Sequence, residues 1–263
     1  MPLLFAEDIE NYHAAGCRSI EVWLTKLEQH LETSPLADTR KALADRGMAL
    51  PAAAYQGGLL LSQGEERKAH FDHFRQRLEL CAAFGIRTIL LAPDFSNRID
   101  AQTLGRAVVS LSQAGQWAAA FGIRVALEFR GTDSFCTCLD TAITLVEQSR
   151  EPNVGICFDL FHYYKGPSKP EDLSRLSAAN LFHVQVCDVA GVPRELMTDS
   201  DRVMPGDGEF QFDMLVHRLT EIGYDGSISL ELMNREIWAA NPKHVVELGL
   251  AALDRILPTS RSK

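Results

Sequence analysis

The chain of 263 residues has no apolar run near the length needed to cross a bilayer, and no basic segment leading into an apolar core at its start. Glu7 and Asp8 interrupt the opening before a signal-length stretch can form, so neither secretion nor membrane insertion is expected. A CxxC pair is also missing. Six cysteines (Cys17, Cys81, Cys136, Cys138, Cys157 and Cys187) are scattered, several inside apolar runs where a free thiol behaves as a small hydrophobe. The expectation is a reduced, cytoplasmic protein. Positive charge is in deficit, with 26 Lys and Arg against 35 Asp and Glu and a formal charge of −9. That balance disfavours nucleic acid as a partner and suits a small, weakly charged ligand. No glycine-rich phosphate loop follows the early strands, which counts against a doubly wound nucleotide-binding sheet.

What is present is ordinary for a folded protein: 46% apolar and 23% charged residues, in a length that suits one barrel. A single domain over 1–263 is expected. The chain repeats one phrase, in which a helical pattern meets a glycine and, two or three residues later, a short apolar strand. It reads AAGCRSIEVW from Ala14, DRGMALPAAAY from Asp45, AAFGIRTILLAP from Ala82, AAFGIRVALEF from Ala119 and EIGYDGSISLEL from Glu221. Gly16, Gly47, Gly85, Gly122 and Gly223 stand where a helix stops, a place that often demands positive φ. Asn180 is assigned the same part in SAANLFHVQV.

Seven strands are expected, near residues 19–24, 49–55, 87–92, 124–129, 154–160, 181–188 and 226–232, flanked by eight helices. Their alternation implies a parallel sheet with both faces covered, and hence an α/β fold of the (β/α)8 barrel type. The first helix, from about Ala6 to Ala15, precedes the first strand, so the barrel's opening strand is missing or truncated. Residues 1–5 are too few for that strand and its loop, and a start at an internal methionine is the expectation.

Chemistry in such barrels sits where strands run into the following loops. Four late strands carry a polar residue there: Glu128 in VALEF, Asp159 in ICFDLFHYY, Gln185 in FHVQVCD and Glu231 in SISLEL. Their apolar neighbours must face the other way, so all four point inward. Glu128 taken alone also fits a barrel acid paired with Arg124 or Arg130. Three carboxylates gathered in a low-dielectric interior, however, repel unless a cation joins them. An all-oxygen donor set with an amide carbonyl favours Mn²⁺ or Mg²⁺, with Co²⁺ or Zn²⁺ as further options. His162, three residues past Asp159, can lie beside such an ion and bind a substrate oxygen, or simply cap backbone. His183 shares the inward parity of Gln185 one layer deeper, as a supporting or core residue that could also reach substrate, with ligation the lesser option. Arg202, in the loop DRVMPGDGEF, suits bidentate contact with substrate oxygens, or is a solvated surface arginine. Glu21 in SIEVW also has inward parity and could reach a substrate, or serve structure beside Trp23.

Nearly the whole chain from Ala6 onward resembles the xylose isomerase-like TIM barrel family of sugar phosphate isomerases and epimerases. The resemblance rests on the glutamate of VALEF, the DxxH of Asp159 and His162, the HxQxxD of His183, Gln185 and Asp188, the RxxPGxG from Arg202 to Gly208, and the final LEL glutamate. It implies that Glu128, Asp159, Gln185 and Glu231 hold one divalent metal ion and that His162 and Arg202 bind substrate. It further implies that Glu128, Glu231 and His162 move protons through a metal-stabilised enediolate of a sugar, keto-sugar or sugar phosphate. The epimerase-type second glutamate after VALEF is absent, since RGTDSF offers only Asp133 and Ser134.

The alternative reaction is dehydration of a keto-cyclitol such as inosose or dehydroshikimate, because the same enolate can expel a β-hydroxyl. An apurinic endonuclease-like activity needs histidine ligands on early strands, which here end in Ala54, Tyr55, Ala92 and Pro93. A barrel that binds sugar or metal without turnover is the remaining reading. The sequence leaves monomer and homo-oligomer both open.

Overall fold

The computed structural model describes residues 3–95 and 99–257, and along them helices and strands alternate. Helix α1 (Phe5–Ala14) precedes strand β1 (Val22–Trp23), which runs directly into α2 (Leu24–Leu31) and then α3 (Leu36–Asp45). There follow β2 (Ala52–Gln56), α4 (Gly64–Phe84), β3 (Thr88–Leu91), α5 (Ala101–Ala119), β4 (Arg124–Glu128), α6 (Leu139–Ser149), β5 (Val154–Asp159), α7 (Leu160–Lys165) and β6 (Leu181–Val186). The chain continues with α8 (Asp213–Glu221), β7 (Ile228–Leu230), α9 (Arg235–Ala239) and α10 (Pro242–Ile256). Among the described residues these ten α-helices outnumber the eight expected, because α2 and α3 divide one crossover, short α7 starts right at the end of β5, and short α9 forms in the segment between β7 and α10.

The seven strands pair in chain order, every neighbour parallel. Each expected strand is present, most of them trimmed at their ends and β2 extended to Gln56, and the fold is a TIM barrel in which, among the described residues, no eighth strand stands between β7 and β1. Among the described residues no strand precedes α1; Met1 and Pro2 of the segment judged too short for one lie outside them. The helical layer nevertheless closes, since α1 packs against α10.

Period-two alternation sorts the side chains. On β3, β4 and β5 the residues Ile89, Leu91, Val125, Leu127, Ile156 and Phe158 join the large apolar layer between sheet and helices. Leu90, Ala126 and Cys157 face the other way, in a small inner cluster with Ala52 and Phe182. Small inner residues leave space in the barrel, and the two-residue step fixes what comes next: Glu128 follows Ala126 inward, and Asp159 follows Cys157.

Gly16, Gly47, Gly85, Gly122 and Gly223 all have positive φ, as expected of helix stops. Asn180 does not. Its side chain instead ties the loop into β6, Oδ1 accepting from Ser177 N at 2.7 Å and Nδ2 donating to Arg175 O at 3.0 Å. A left-handed stop without glycine occurs at a different place, before β5, where Arg150 ends α6 at φ 58°. The six cysteines are free thiols, and among the described residues no helix is long and apolar enough to cross a membrane.

Candidate active site

Asp159 organises the site. It ends β5 and caps α7, so strand and helix meet with no loop between them. Its Oδ1 accepts from the backbone N–H of Phe161 at 2.6 Å and His162 at 3.2 Å, two of the donors a helix start leaves unpaired. Its Oδ2 is left for the interior, where Arg202 Nη1 lies at 2.9 Å. The same turn throws the His162 ring over the strand ends, with Nε2 3.5 Å from Glu128 Oε1 and 3.9 Å from Asp159 Oδ2.

Arg202 is 1% exposed, which overturns the reading of a solvated surface arginine. Its Nη1 meets both Asp159 Oδ2 and Glu231 Oε2, the latter at 2.8 Å; Nε and Nη2 both reach Asp199 Oδ1, at 3.1 and 2.8 Å. The guanidinium also stacks over Phe161, with Cζ 4.3 Å from the ring centroid. Nη1 also points to Cys187 Sγ at 3.8 Å, and among the described residues one N–H on Nη2 has no acceptor. Asp188 holds the loop that delivers this arginine. Its Oδ1 takes the backbone N–H of Val189 and Phe210, and its Oδ2 those of Gly206 and Gly208, at 2.9–3.0 Å. A Cβ on Gly208 would sit 2.3 Å from Asp188 Oδ1, so that glycine is required by close approach. The HxQxxD and RxxPGxG phrases are thus two halves of one clamp.

Glu21, His183 and Gln185 form a second group, in which Gln185 stands in register with Asp159 and His183 lies one layer below, in register with Cys157. His183 Nε2 lies 2.7 Å from Glu21 Oε2 and 3.1 Å from Ser229 Oγ, and Gln185 Nε2 donates to Glu21 Oε1 at 2.8 Å. Cys157 Sγ donates to Gln185 Oε1 at 3.2 Å, leaving that oxygen a lone pair. Both Glu21 oxygens are engaged inside the protein, so the geometry favours its supporting role over reach to a substrate.

The charges explain one another. Burial, reinforced by the charge of Asp159, pushes the Glu128 carboxyl up to about 8 despite Arg130 and Arg202. Glu231 is raised well above the usual carboxylate range by burial, with Asp159 and Glu128 adding to it against the opposing pull of Arg202. Burial works against the ionised form of Asp159 too, but Arg202 and His162 outweigh it and hold the group near 2. Desolvation lowers His162 to about 4 even with Asp159 beside it, so the ring is neutral at pH 7. Burial also opposes charge on Glu21, yet His183 and its hydrogen bonds keep that carboxyl below its ordinary value. The charge of the cluster is therefore concentrated on the pair Arg202 and Asp159, while burial favours the protonated form of Glu128 and Glu231. Sequence reasoning asked for an external cation among three acids; the guanidinium of Arg202 supplies one from within.

The residues fit a divalent ion. Donor atoms of Glu128, Asp159 and His162 all lie within 4.8 Å of one another. Among the described residues neither Glu231 Oε2, which lies 2.8 Å from Arg202 Nη1, nor His162 Nδ1 has a directed hydrogen bond, and both atoms are buried. His162 was expected beside the ion rather than on it; here it groups with the carboxylates as closely as any ligand. Sequence reasoning missed Cys157 and Ser229, each two residues before a site acid and so of inward parity, and Asp199, one helical turn before Arg202. It also missed Asn234, whose Nδ2 donates to Arg202 O at 3.1 Å.

Residues 9–256 of the chain match the model of one family, described as xylose isomerase-like TIM barrels. The chain belongs to that family. Within this xylose isomerase-like family, the chain is similar to the inosose isomerase of Bacillus velezensis, 25% identical over 92% of this chain and 88% of that protein. It is similar to the 3-dehydroshikimate dehydratase of Pseudomonas aeruginosa, 25% identical over 94% of this chain but only 39% of that longer protein. Its fold matches a crystal structure of the IolI protein with a bound zinc atom, at a TM-score of 0.92 and 22% identity over 99% of this chain and 95% of that one.

Proposed function

We propose that this protein is a divalent-metal-dependent isomerase or epimerase of a small polyol ketone, with keto-cyclitols the first class to test and keto-sugars and sugar phosphates next. The observation that carries the reading is the convergence of Glu128, Asp159 and Glu231, from the ends of three separate strands, with His162 and Arg202 in one buried cluster. Glu128, Asp159, Gln185 and Glu231 are the residues assigned to hold the ion, with His162 close enough to share in it. Bound there, a divalent cation would supply the positive charge that removal of a proton beside a carbonyl demands. Mn²⁺ or Mg²⁺ suits this oxygen-rich set, and the histidine keeps Zn²⁺ and Co²⁺ in the comparison.

The chain's own residues supply the proton transfers. Glu128 on β4 and Glu231 beyond β7 bracket the sector that Asp159 occupies, so one carboxylate takes the proton from carbon and the other, or neutral His162, returns it. Arg202 keeps Asp159 and Glu231 in register and offers its free N–H to a substrate oxygen. The inosose isomerases among its relatives support this reading.

Dehydration is the second reading, favoured by the dehydroshikimate dehydratase relatives, because both outcomes share the first proton abstraction. Incubation with Mn²⁺ and a panel of inososes, ketoses and dehydroshikimate in D2O separates them. Solvent deuterium entering substrate carbon with no loss of water supports isomerisation, and enone absorbance supports dehydration. Neither signal from any substrate, with metal shown to be bound, would remove the enzymatic reading.

A further inference from the structure

We propose that the opposite, N-terminal end of the barrel is a second binding site, for a small organic anion that joins a phosphate or carboxylate group to an apolar body. A cavity of about 740 Å³ opens there, framed by α3 and by the starts of β2, β3, β4, β6 and β7. Its distance from the proposed chemistry is topological: parallel strands put all their first residues at one end and Glu128, Asp159 and Glu231 at the other.

Charge in this cavity runs against the rest of the molecule. In a chain of net charge −9, the lining contains Arg40, Lys41, Arg87 and Arg124 against a single acid, Asp225. Lys41 is shared with Asp45 at 2.5 Å, whereas Arg40, Arg87 and Arg124 form no ion pair among the described residues. Arg40, Arg87 and Arg124 are exposed, and together they give this concavity a positive potential that favours an anion at low ionic strength.

A blander account is available, since this end also collects helix C-termini, whose partial negative charge favours nearby cations by about 0.3–1 kcal/mol each. The hydrogen bonds decide between the two. Arg124 is not turned to a helix carbonyl: its Nη2 donates to Thr88 Oγ1 at 3.1 Å and its Cζ lies 4.8 Å over the Phe182 ring. Among the described residues Arg40 and Arg87 donate to no helix carbonyl either, so their exposed N–H groups are open to a ligand. Arg124 is held in place by Thr88 and Phe182, so little of its freedom would be lost on binding. Leu43, Met48 and Phe182, all buried, give the lining an apolar part and call for more than a bare inorganic ion.

His183 lines the same cavity, while its Nε2 holds Glu21 at 2.7 Å, and Glu21 in turn holds the amide of Gln185. One imidazole therefore belongs both to this site and to the layer beneath the carboxylate cluster. That shared ring makes a spectroscopic reporter. The proposal stands whether or not the isomerase reading does.

The test is titration of the whole protein, at low ionic strength, with inorganic phosphate, benzoate and phenyl phosphate, read by calorimetry and by the His183 ring resonances in NMR. Phenyl phosphate is expected to bind more tightly than either fragment and to shift His183 before His162. The Arg40→Glu/Arg87→Glu variant, altered only at exposed positions, should weaken binding at least about tenfold, equivalent to about 1.4 kcal/mol, and keep the wild-type melting curve and basal activity. Arg40→Ala/Arg87→Ala guards against a variant that fails to fold, and should weaken binding in the same direction. Equal binding of phosphate and phenyl phosphate would overturn the apolar part of the proposal. Affinity unchanged in both double variants, shifts confined to His162, or no saturation by about 10 mM would overturn it entirely.

Discussion

The early strands β1–β3 and the late strands β4–β7 follow one inward parity, yet they place different residues on it. In the early sector the inner face carries Ala52 and Leu90, with Ala54 packed against them. In the late sector the same face steps from Ala126 to Glu128, from Cys157 to Asp159, from His183 to Gln185 and from Ser229 to Glu231. Backbone geometry is shared, so the division of labour lies in side chains alone: one side of the barrel supplies space and packing, and the other concentrates the charge. Glu21, just before β1, is the early sector's one contribution, and it acts by bracing His183 and Gln185.

The sharpest way to break that comparison is Asp159→Ala. It strips the late sector of a helix cap and leaves Arg202 buried without its best-placed counter-charge. Loss of one partner of a buried pair costs about 3–5 kcal/mol, and the cap about 1 kcal/mol more. Urea unfolding should report that loss, and calorimetric binding of Mn²⁺ should vanish. Retention of wild-type stability would mean that the charge pair does not organise this sector.

Glu128→Gln and Glu231→Gln come next, because each keeps shape and removes one proton carrier. Solvent deuterium exchange or turnover should fall by about 10²–10⁴ in each, with the melting temperature held or raised, since a costly buried acid has been neutralised. A loss of similar size from an early-sector residue such as Ala54→Ser would erase the distinction between the sectors.

Much of this division could be read from the chain before any coordinates. Glycine stops, apolar strands and period-two parity located every strand and put Glu128, Asp159, Gln185 and Glu231 on one face, because these signals are local. What escaped is what depends on reach between distant segments. Arg202 looks like a loop residue in DRVMPGDGEF, and only the Asp188 clamp on that loop drives it inward between Asp159 and Glu231. The pairing of Glu21 with Gln185 spans more than half the chain, and no spacing rule connects them. Asn180 misled because asparagine serves loops by side-chain hydrogen bonds as readily as by left-handed backbone.

The pH dependence of stability sharpens the contrast from the charge side, at a level of a few kcal/mol. In the metal-free protein Glu128 has a folded value of about 8 against 4.5 when unfolded. Between those values the native state keeps a proton that the unfolded chain releases, so this contribution is full below about pH 4.5 and disappears as pH rises through about 8. Asp159 runs the other way: its stabilising contribution is present above 3.8 and is lost as pH falls towards about 2. Melting temperature in the presence of a chelator should therefore decline from about pH 5.5 to 8.5. Added Mn²⁺ should restore more stability at the alkaline end, because ionised carboxylates bind it and protonated ones do not. A flat chelated profile would show that Glu128 is not held protonated.

The smallest effect belongs to the early sector and is its control. Ile89 on β3 faces the helices, fully buried, and its change to Val removes one methylene from the packed layer without touching the inner face. Such truncations cost about 0.5–1.5 kcal/mol, since neighbours relax only in part around the small void. Unfolding should move by that amount while turnover and Mn²⁺ affinity stay at wild-type values. A fall in turnover beyond the change in folded fraction would mean that packing behind β3 is transmitted to Glu128 through the strand pairing of Leu91 with Leu127. The early strands would then be part of the site's rigidity, and the boundary between the sectors would lie in the helices rather than in the sheet.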